Sequence, residues 1–366
     1  MERDVWRAVA LLVGAQIGAG VLGLPYAIKD LGFFWGGFTI VLAGVVMMAT
    51  ALFLVEALYS TNPHFHLFDL VEEHFGRLGA VLFLLFLLVS IYGALSAYLD
   101  GMGQSINHLT GIDATQASVV LWLLLSAVVV LGLRTTANTE AGAVILLLIL
   151  FALTVLWAVP YVKPYFHVLT ENKLKAFASA FSVAVFAFFV HLTVPEAVRL
   201  VKKKKPTVEA VYNAFIITIA VYVLFSLSVI GVLGNKTPQI SVFGLVDVFG
   251  PYFAIIAYLI PLVTMLTSFV AVGLGAVDML TEALRLRWLA LILVLLPPLI
   301  IFLLGLDFFH SILLGSIGLL LAGGIVPSLL VIKMKRGGII PHRTAVAYAS
   351  LILFLSVLLW TLISLV

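Results

Sequence analysis

The amino-acid sequence predicts an all-α polytopic membrane protein with eleven transmembrane helices, on the evidence of its composition, its charge-free runs and its basic residues. Hydrophobic residues fill 63% of the 366 positions and charged residues only 10%, whereas soluble domains carry about 25% charged residues. So few charges cannot cover a water-facing surface, so most of the exterior must face lipid. Helices satisfy their own backbone polar groups in lipid and are therefore the expected spanning elements.

Cutting the chain at its charged residues leaves eleven long charge-free runs of 19 to 30 residues. About 20 apolar residues cross the ~30 Å hydrocarbon layer as a helix, so each run is long enough to span it. The runs are Ala8–Ile28, Leu31–Val55, Leu78–Leu99, Ala114–Leu133, Ala141–Val162, Ala176–Pro195, Ala210–Asn235, Val248–Val277, Trp288–Leu306, Phe308–Ile332 and Thr344–Val366. The connections between these runs are too short to hold a separate domain.

Basic residues are distributed unequally between the two predicted sides of the membrane. With a cytoplasmic N-terminus, 15 Lys and Arg residues fall inside and 5 outside. The inner set is Arg3, Arg7, Arg77, Arg134, Arg199, Lys202, Lys203, Lys204, Lys205, Arg285, Arg287, Lys333, Lys335, Arg336 and Arg343, and the outer set is Lys29, Lys163, Lys173, Lys175 and Lys236. This asymmetry predicts a multi-pass protein of the cell (inner or plasma) membrane, with its N-terminus cytoplasmic and its C-terminus outside. The Lys202–Lys205 run is expected to touch anionic membrane lipid rather than nucleic acid.

The spacing of the runs predicts an inverted repeat. Runs five apart begin 168, 179, 170, 174 and 167 residues from each other, so four of the five intervals agree closely. Because each unit holds an odd number of helices, the second unit would be inverted in the membrane, as in many secondary transporters. We therefore expect a five-plus-five arrangement, with a first unit at 1–162, a second at 163–334 and an additional helix at 335–366.

Several classes of protein are disfavoured by the residues present. The chain has no cysteine, which excludes disulfide frameworks and thiolate metal sites. The predicted spans contain no His-Glu-x-x-His motif, paired aspartates or Ser/His/Asp set, so an intramembrane enzyme is not expected. One polar connection carries His64, His66, Asp69, Glu72, Glu73 and His74. Interleaved apolar residues there fit an amphipathic interfacial helix better than a metal site.

The first and sixth predicted helices contain matching helix-breaking residues. Four glycines and Pro25 lie within Gly14–Pro25, and each glycine destabilises a helix by about 1 kcal/mol relative to alanine. Pro195 lies 170 residues after Pro25, so both breaks fall at one repeat position. Unwound N–H groups at Gly18–Gly20 would suit a carboxylate, and carbonyls around Phe186–Val190 an ammonium, so the pair fits a zwitterion. The alternative is that the glycines only allow close helix packing.

Three stretches resemble the amino acid/auxin permease family, within the leucine-transporter-like fold of the APC superfamily. They are Ile17–Pro25, Phe188–Arg199 and Thr267–Asp278, and the third is similar to the aromatic amino acid permease branch. The resemblance implies a secondary active transporter that carries a neutral or aromatic amino acid by symport with Na⁺ or H⁺, through alternating access. The alternative is a non-transporting amino acid sensor or receptor on the same scaffold. No organic cofactor, nucleic acid or obligate protein partner is indicated.

The resemblance also implies a substrate site. Gly18, Ala19 and Gly20 would hold the substrate carboxylate. The sixth helix would hold the amine and shape an apolar pocket, with the residues Phe186, Phe188, Phe189 and Val190. Tyr92 and Ser96 lie one turn apart on the third helix, where the family closes its pocket. A structural hydrogen bond between helices explains these two residues equally well.

The coupling ion stays open between sodium and a proton. Thr267 and Ser268 match a Thr-Ser pair that binds Na⁺ in sodium-dependent relatives, with the Gly14 and Ile17 carbonyls as candidate partners, and such oxygen ligands suit a hard cation. Thr and Ser also often bond back to their own helix. The candidates for proton coupling are the ionisable residues at or near the membrane, Glu56, His191 and Glu196.

Overall fold

The computed structural model describes residues 2–133, 137–166, 170–334 and 342–365. Its regular structure in these ranges is helical. The helices are α1 Glu2–Gln16, α2 Ala19–Ile28, α3 Gly32–Ser60, α4 Leu67–Thr110, α5 Ala114–Val130, α6 Ala137–Ala158, α7 Lys173–Ala187, α8 Val194–Val201, α9 Lys204–Leu233, α10 Val246–Phe249, α11 Pro251–Leu284, α12 Arg287–Leu303, α13 Phe308–Leu319, α14 Val326–Lys333 and α15 Arg343–Leu365. The prediction of an all-α protein is therefore confirmed for the described ranges.

The lengths of these helices fit a multi-pass membrane protein. In the described ranges, eight helical segments are long and apolar enough to cross a membrane, and nine when the bent pair α1–α2 counts as one span. Two further apolar helices, α5 and α12, have 17 residues each, or about 26 Å at 1.5 Å per residue. The predicted number of eleven spans and the five-plus-five repeat stay predictions.

Both predicted helix breaks are present. The α1 helix ends at Gln16, α2 begins at Ala19, and the two are bent by 56°. The α7 helix ends at Ala187 and α8 begins at Val194, with a single helical turn at His191–Thr193 between them. Glycine weakens a helix locally, and Gly18 lies in the first break. Pro25 lies inside α2 and Pro195 in the first turn of α8, so each proline follows its break and does not lie in it.

A third irregularity was not predicted from the sequence. Between α13 and α14 the chain forms a π-helix over Leu320–Ile325, which includes Gly323 and Gly324. A Cβ atom at Gly323 would lie 3.0 Å from the ring of Phe189, and one at Gly324 would lie 2.5 Å from the ring of Phe354. Two aromatic rings therefore pack against the glycines of the π-helix, Phe189 from the second break and Phe354 from α15. Such π-bulges are frequent at functional sites.

Glycine also allows α4 and α13 to pack backbone against backbone. A Cβ atom at Gly93 would lie 2.3 Å from the Gly315 nitrogen, and one at Gly318 would lie 2.2 Å from the Phe86 oxygen. In lipid, helices associate through such close contacts of small residues because no hydrophobic force drives them together. These two helices therefore lie backbone to backbone, and the Phe186 ring of α7 packs against them at Gly315.

Part of the polar connection predicted from the sequence is helical and forms the first turns of α4, from Leu67 to the kink at Gly76. His66 is the N-cap residue of α4, and its backbone N–H donates to the Asp69 carboxylate at 3.1 Å. The helix direction then changes at Gly76, whose positive φ of 72° favours glycine. The segment before Gly76 thus lies at an angle to the membrane-spanning part of α4, as an interfacial helix would.

Candidate substrate site between the two interrupted helices

The first break places free helix-end groups around Gly18. Gly18 is extended, with φ −136° and ψ −155°, and no side chain caps the α2 helix that follows it. The first N–H groups of a helix lack partners within the helix and carry the positive end of its dipole. The start of α2 therefore offers donors suited to an anionic group, at the position expected from the sequence.

Two hydroxyl groups from distant helices meet this break. A Cβ atom at Gly18 would lie 3.3 Å from the Tyr98 hydroxyl of α4 and 3.6 Å from Ser268 Oγ of α11. Both hydroxyl groups thus lie beside the same backbone position. Helices α4 and α11 thus each place a hydroxyl group next to the unwound backbone at Gly18.

Gly20 makes a different contact from Gly18. A Cβ atom there would lie 2.6 Å from Ala187 Cα and 2.9 Å from Ala187 N, which are backbone atoms of α7. Gly20 therefore lets α2 contact the C-terminal end of α7. This supports the helix-packing interpretation for Gly20, while the neighbouring Ala19 begins α2 in a fully buried position.

The side chains of the third predicted helix are arranged differently from the expectation. Ser96 is buried, and its hydroxyl pairs with Ser311 of α13 at 3.2 Å, which is the structural hydrogen bond left open above. Tyr92 is half-buried. Tyr98, six residues further along α4 and on another face, is the tyrosine at the break. Nothing in the local sequence distinguishes Tyr98 from Tyr92, so only the packing of α4 against the break identifies it.

Gln16 is a second residue that sequence reasoning missed. It is the last residue of α1 and only 2% exposed, yet neither its Oε1 nor its Nε2 has a hydrogen-bond partner in the described structure. An unpaired buried polar group costs about 1–3 kcal/mol and calls for an explanation. A polar ligand at the break would supply the missing partners. The available signal was a polar residue inside an apolar run, directly before the glycines.

The second break is occupied by large side chains. Phe188 is fully buried, and its ring lies 4.8 Å from that of Tyr222. Phe186 contacts Gly315 of α13, and Phe189 is only partly buried and stacks on His191 at 5.2 Å. These contacts leave Phe186 and Phe189 as the pocket candidates with some exposed ring surface.

Two of the carbonyls expected to hold an ammonium group already have partners. The Phe186 carbonyl accepts the Phe189 N–H at 3.4 Å. The Val190 carbonyl accepts both the backbone N–H and the hydroxyl of Thr193, at 2.9 and 2.7 Å. The backbone of this break is therefore more fully paired than that of the first break.

His191 lies buried in the second break with one free nitrogen. Its Nε2 is 2.9 Å from Thr50 Oγ1 of α3, and the same hydroxyl lies 3.0 Å from the Met47 carbonyl. The Nδ1 atom has no partner in the described structure. His191 is therefore bonded to α3 through one ring nitrogen, and its other ring nitrogen is unpaired.

The other two proton-coupling candidates lie away from the breaks. Glu56 is fully buried and forms an ion pair with Arg343 at the start of α15. Arg343 also donates to the Met334 carbonyl at 3.1 Å, so the pair ties α3 to the segments that follow α14. Glu196 is exposed in the first turn of α8. A structural ion pair explains Glu56 without a transport role.

The residues proposed for a sodium site are only partly brought together. Ser268 faces the first break, whereas Thr267 is exposed and donates to the Val263 and Thr264 carbonyls of its own helix, at 3.0 and 3.1 Å. Gly14 faces α6, because a Cβ atom there would lie 2.8 Å from Val144 Cγ2. Ile17 is buried at the break. The sodium site stays a prediction, and Thr267 shows the back-bonding that was its alternative.

A separate cavity of about 320 Å³ opens between the ends of α4 and α12, and its lining includes Asp100, Gln104 and Asp307. Gln104 donates to Asp100 at 2.9 Å. Burial would raise the pKa of Asp307, but hydrogen bonds from the backbone and ring of His310 and from Gln239 hold that pKa below its ordinary value. These residues were not predicted, because they are polar in ordinary positions near helix ends.

Comparisons with known proteins agree with a transport protein. A model described as the tryptophan/tyrosine permease family matches residues 1–366. Tyrosine-specific transport system 1 of Haemophilus influenzae is 27% identical over 298 residues, which cover 75% of this chain and 72% of that protein. The low affinity tryptophan permease of Escherichia coli is 21% identical over 368 residues, which cover 92% of this chain and 88% of that permease.

A solved structure shares the fold. It is the manganese transporter of Eremococcus coleocola in complex with an aromatic bis-isothiourea substituted compound, with a TM-score of 0.70 and 16% identity, covering 99% of this chain and 86% of that one. The relatives are transport proteins and not enzymes, which confirms that expectation. The wider assignment to the amino acid/auxin permease family is not confirmed by these matches. The chain is a multi-pass membrane protein that belongs to the tryptophan/tyrosine permease family.

Proposed function

We propose that this protein is a secondary active transporter that carries tryptophan or tyrosine across the cell membrane by symport with Na⁺ or H⁺. The observation that carries the proposal is the buried, unpaired amide of Gln16 at the end of α1. It stands beside an unwound backbone whose Gly18 is approached by the Tyr98 and Ser268 hydroxyl groups. A closed polar site of this kind in an otherwise apolar protein suits a small polar solute.

The chemistry of the site matches a zwitterion. The uncapped start of α2 supplies N–H donors for a carboxylate. The Gln16 amide adds one donating and one accepting group, which suit the adjacent carboxylate and ammonium of an amino acid. The partly buried ring of Phe189 offers an apolar surface beside the second break. Aromatic side chains of the substrate would pack well against such a ring.

The mechanism we propose is alternating access on the five-plus-five inverted repeat with eleven spans, N-terminus inside and C-terminus outside. The helix pairs α1–α2 and α7–α8 would move with α3 and α9 against the support formed by α4 and α13, because the close Gly93–Gly315 contact keeps that support rigid. The coupling ion would act through His191 if it is a proton, or near Ser268 if it is sodium.

The test is uptake of labelled tyrosine, tryptophan, phenylalanine and leucine into proteoliposomes, with sodium and pH gradients imposed separately. Gln16→Leu should weaken apparent affinity for the aromatic substrates about 10- to 100-fold, the effect of one or two hydrogen bonds to charged groups. The control Gln116→Leu changes an exposed glutamine on α5 and should leave uptake unchanged.

Two outcomes would change the conclusion. Binding of an aromatic amino acid without uptake under either gradient would favour the non-transporting sensor instead. Absence of binding of any aromatic amino acid, by a protein that is monodisperse and helical, would show that the proposed substrate class is wrong.

A further inference from the structure

One tyrosine joins the two interrupted helices. Tyr222 of α9 is fully buried, and its hydroxyl lies 2.6 Å from the Gln16 carbonyl and 3.1 Å from the Ala187 carbonyl. Gln16 is the last residue of α1 and Ala187 the last residue of α7. A single O–H therefore meets the C-terminal ends of both helices that stop at the breaks.

The Tyr222 hydroxyl lies between two helix ends that both carry partial negative charge. The last carbonyls of a helix have no partner within the helix and carry about half a negative charge. Two such ends within reach of one oxygen atom repel each other, and the repulsion is strong in a buried, low-dielectric setting. In transporters with discontinuous helices, half-helix C-terminal ends of this kind commonly coordinate a cation. Here a neutral hydroxyl of the protein occupies the place between them.

We propose that Tyr222 is a positioning residue that holds the two breaks in register, and that its hydroxyl does between these helix ends what a bound cation would otherwise do. The proposal rests on the proposed function only in taking the breaks as the substrate site. Its geometric consequence is that the Gln16 amide and the donors of α2 keep a fixed place relative to α7. The contact of Gly20 with Ala187 and of the Phe188 ring with Tyr222 fixes the same region. No coupling ion is then held between the α1 and α7 ends.

Tyr222→Phe removes the bridging proton and keeps the ring. We expect the variant to bind tyrosine and tryptophan about tenfold or more weakly, because two buried carbonyls lose their donor and the site loses its register. The matched control is Tyr59→Phe. Tyr59 lies on α3, and its hydroxyl is 3.1 Å from the hydroxyl of Thr207. Thr207 is on α9, the helix that also carries Tyr222, but it lies away from the breaks. Tyr59→Phe should lower thermal stability in detergent similarly while affinity stays within twofold.

A rescue variant separates the donor from the ring shape. In Tyr222→4-aminophenylalanine the ring carries two N–H donors, one for each carbonyl, so affinity should return to within about threefold of the unchanged protein. This variant also keeps the test decisive if Tyr222→Phe does not fold. Failure of the amine to restore folding or affinity would overturn the proposal.

A distance measurement tests the bridge without any substrate. The chain has no cysteine, so Trp6→Cys and Leu174→Cys, both on exposed positions of α1 and α7, give a background-free spin-label pair. The distance distribution should be narrow with Tyr222, with the amine and in the Tyr59→Phe control, and broad in Tyr222→Phe. An equally narrow distribution in Tyr222→Phe, or unchanged affinity in that variant, would overturn the proposal. If the unchanged protein binds no aromatic amino acid, the proposed function fails while these distances still decide the role of Tyr222.

Discussion

The two breaks differ in size, composition and degree of pairing. The first is two residues long, Ile17 and Gly18, and leaves the Gln16 amide and the start of α2 unpaired. The second is six residues long, contains bulky buried side chains and has paired carbonyls at Phe186 and Val190. Under the proposed function, the first break would present recognition groups to a solute and the second would set the shape of the region. Among the described histidines, the buried one is His191 in the second break.

The largest expected effect comes from forcing the two breaks apart. In Gly20→Leu the new side chain would meet the backbone of Ala187 at 2.6 Å, and a backbone cannot yield as a side chain can. We expect substrate binding to be lost in a protein that still inserts, measured by equilibrium binding of labelled tyrosine to purified protein. Gly275→Leu on α11 is the control, since a Cβ atom there meets nothing within 4 Å. Retained affinity in well-folded Gly20→Leu would mean that α2 and α7 need not touch.

The positions of the breaks could be predicted because their cause is local. Gly18 lies in the first break, Pro195 follows the second break in the first turn of α8, and both signals depend only on residue type and order. The partners of the breaks could not be predicted in the same way. Tyr98 and Tyr222 lie 80 and 204 residues from Gly18 in the sequence, and their places depend on how α4 and α9 rotate and pack. One sequence contains no signal for that rotation.

Gln16 lies between these two cases. A polar residue inside an apolar run is a visible signal of function in a membrane protein, so Gln16 was within reach of sequence reasoning. Its lack of any partner was not, because hydrogen bonding in a folded protein depends on every neighbouring helix. Glu56 shows the reverse. It carries the same sequence signal, but in the structure it pairs with Arg343, 287 positions away, and a local sequence pattern does not reveal that partner.

An intermediate effect is expected at the second break. His191→Gln replaces the titratable ring by a group that can still bond Thr50, so the fold should persist. If His191 accepts the coupled proton at its free Nδ1, uptake driven by a pH gradient should fall about tenfold while exchange of labelled for unlabelled substrate continues. The exposed His64→Gln is the control. Unchanged pH-driven uptake would limit the second break to a structural role. Neither break would then contain a residue that carries the coupled proton.

The smallest effect should come from Thr267→Ala, and it distinguishes the two members of the sodium candidate pair. Thr267 is exposed and bonds its own helix, so its removal should change sodium-driven uptake less than about twofold. Ser268→Ala removes a hydroxyl that lies beside Gly18 and should reduce uptake about five- to tenfold. A larger loss in Thr267→Ala than in Ser268→Ala, measured at saturating sodium and again at low sodium, would show that α11 turns during transport and carries both hydroxyls to a cation. Equal and small losses under a sodium gradient, with full loss in His191→Gln under a pH gradient, would assign coupling to the second break and leave the first break to recognition alone.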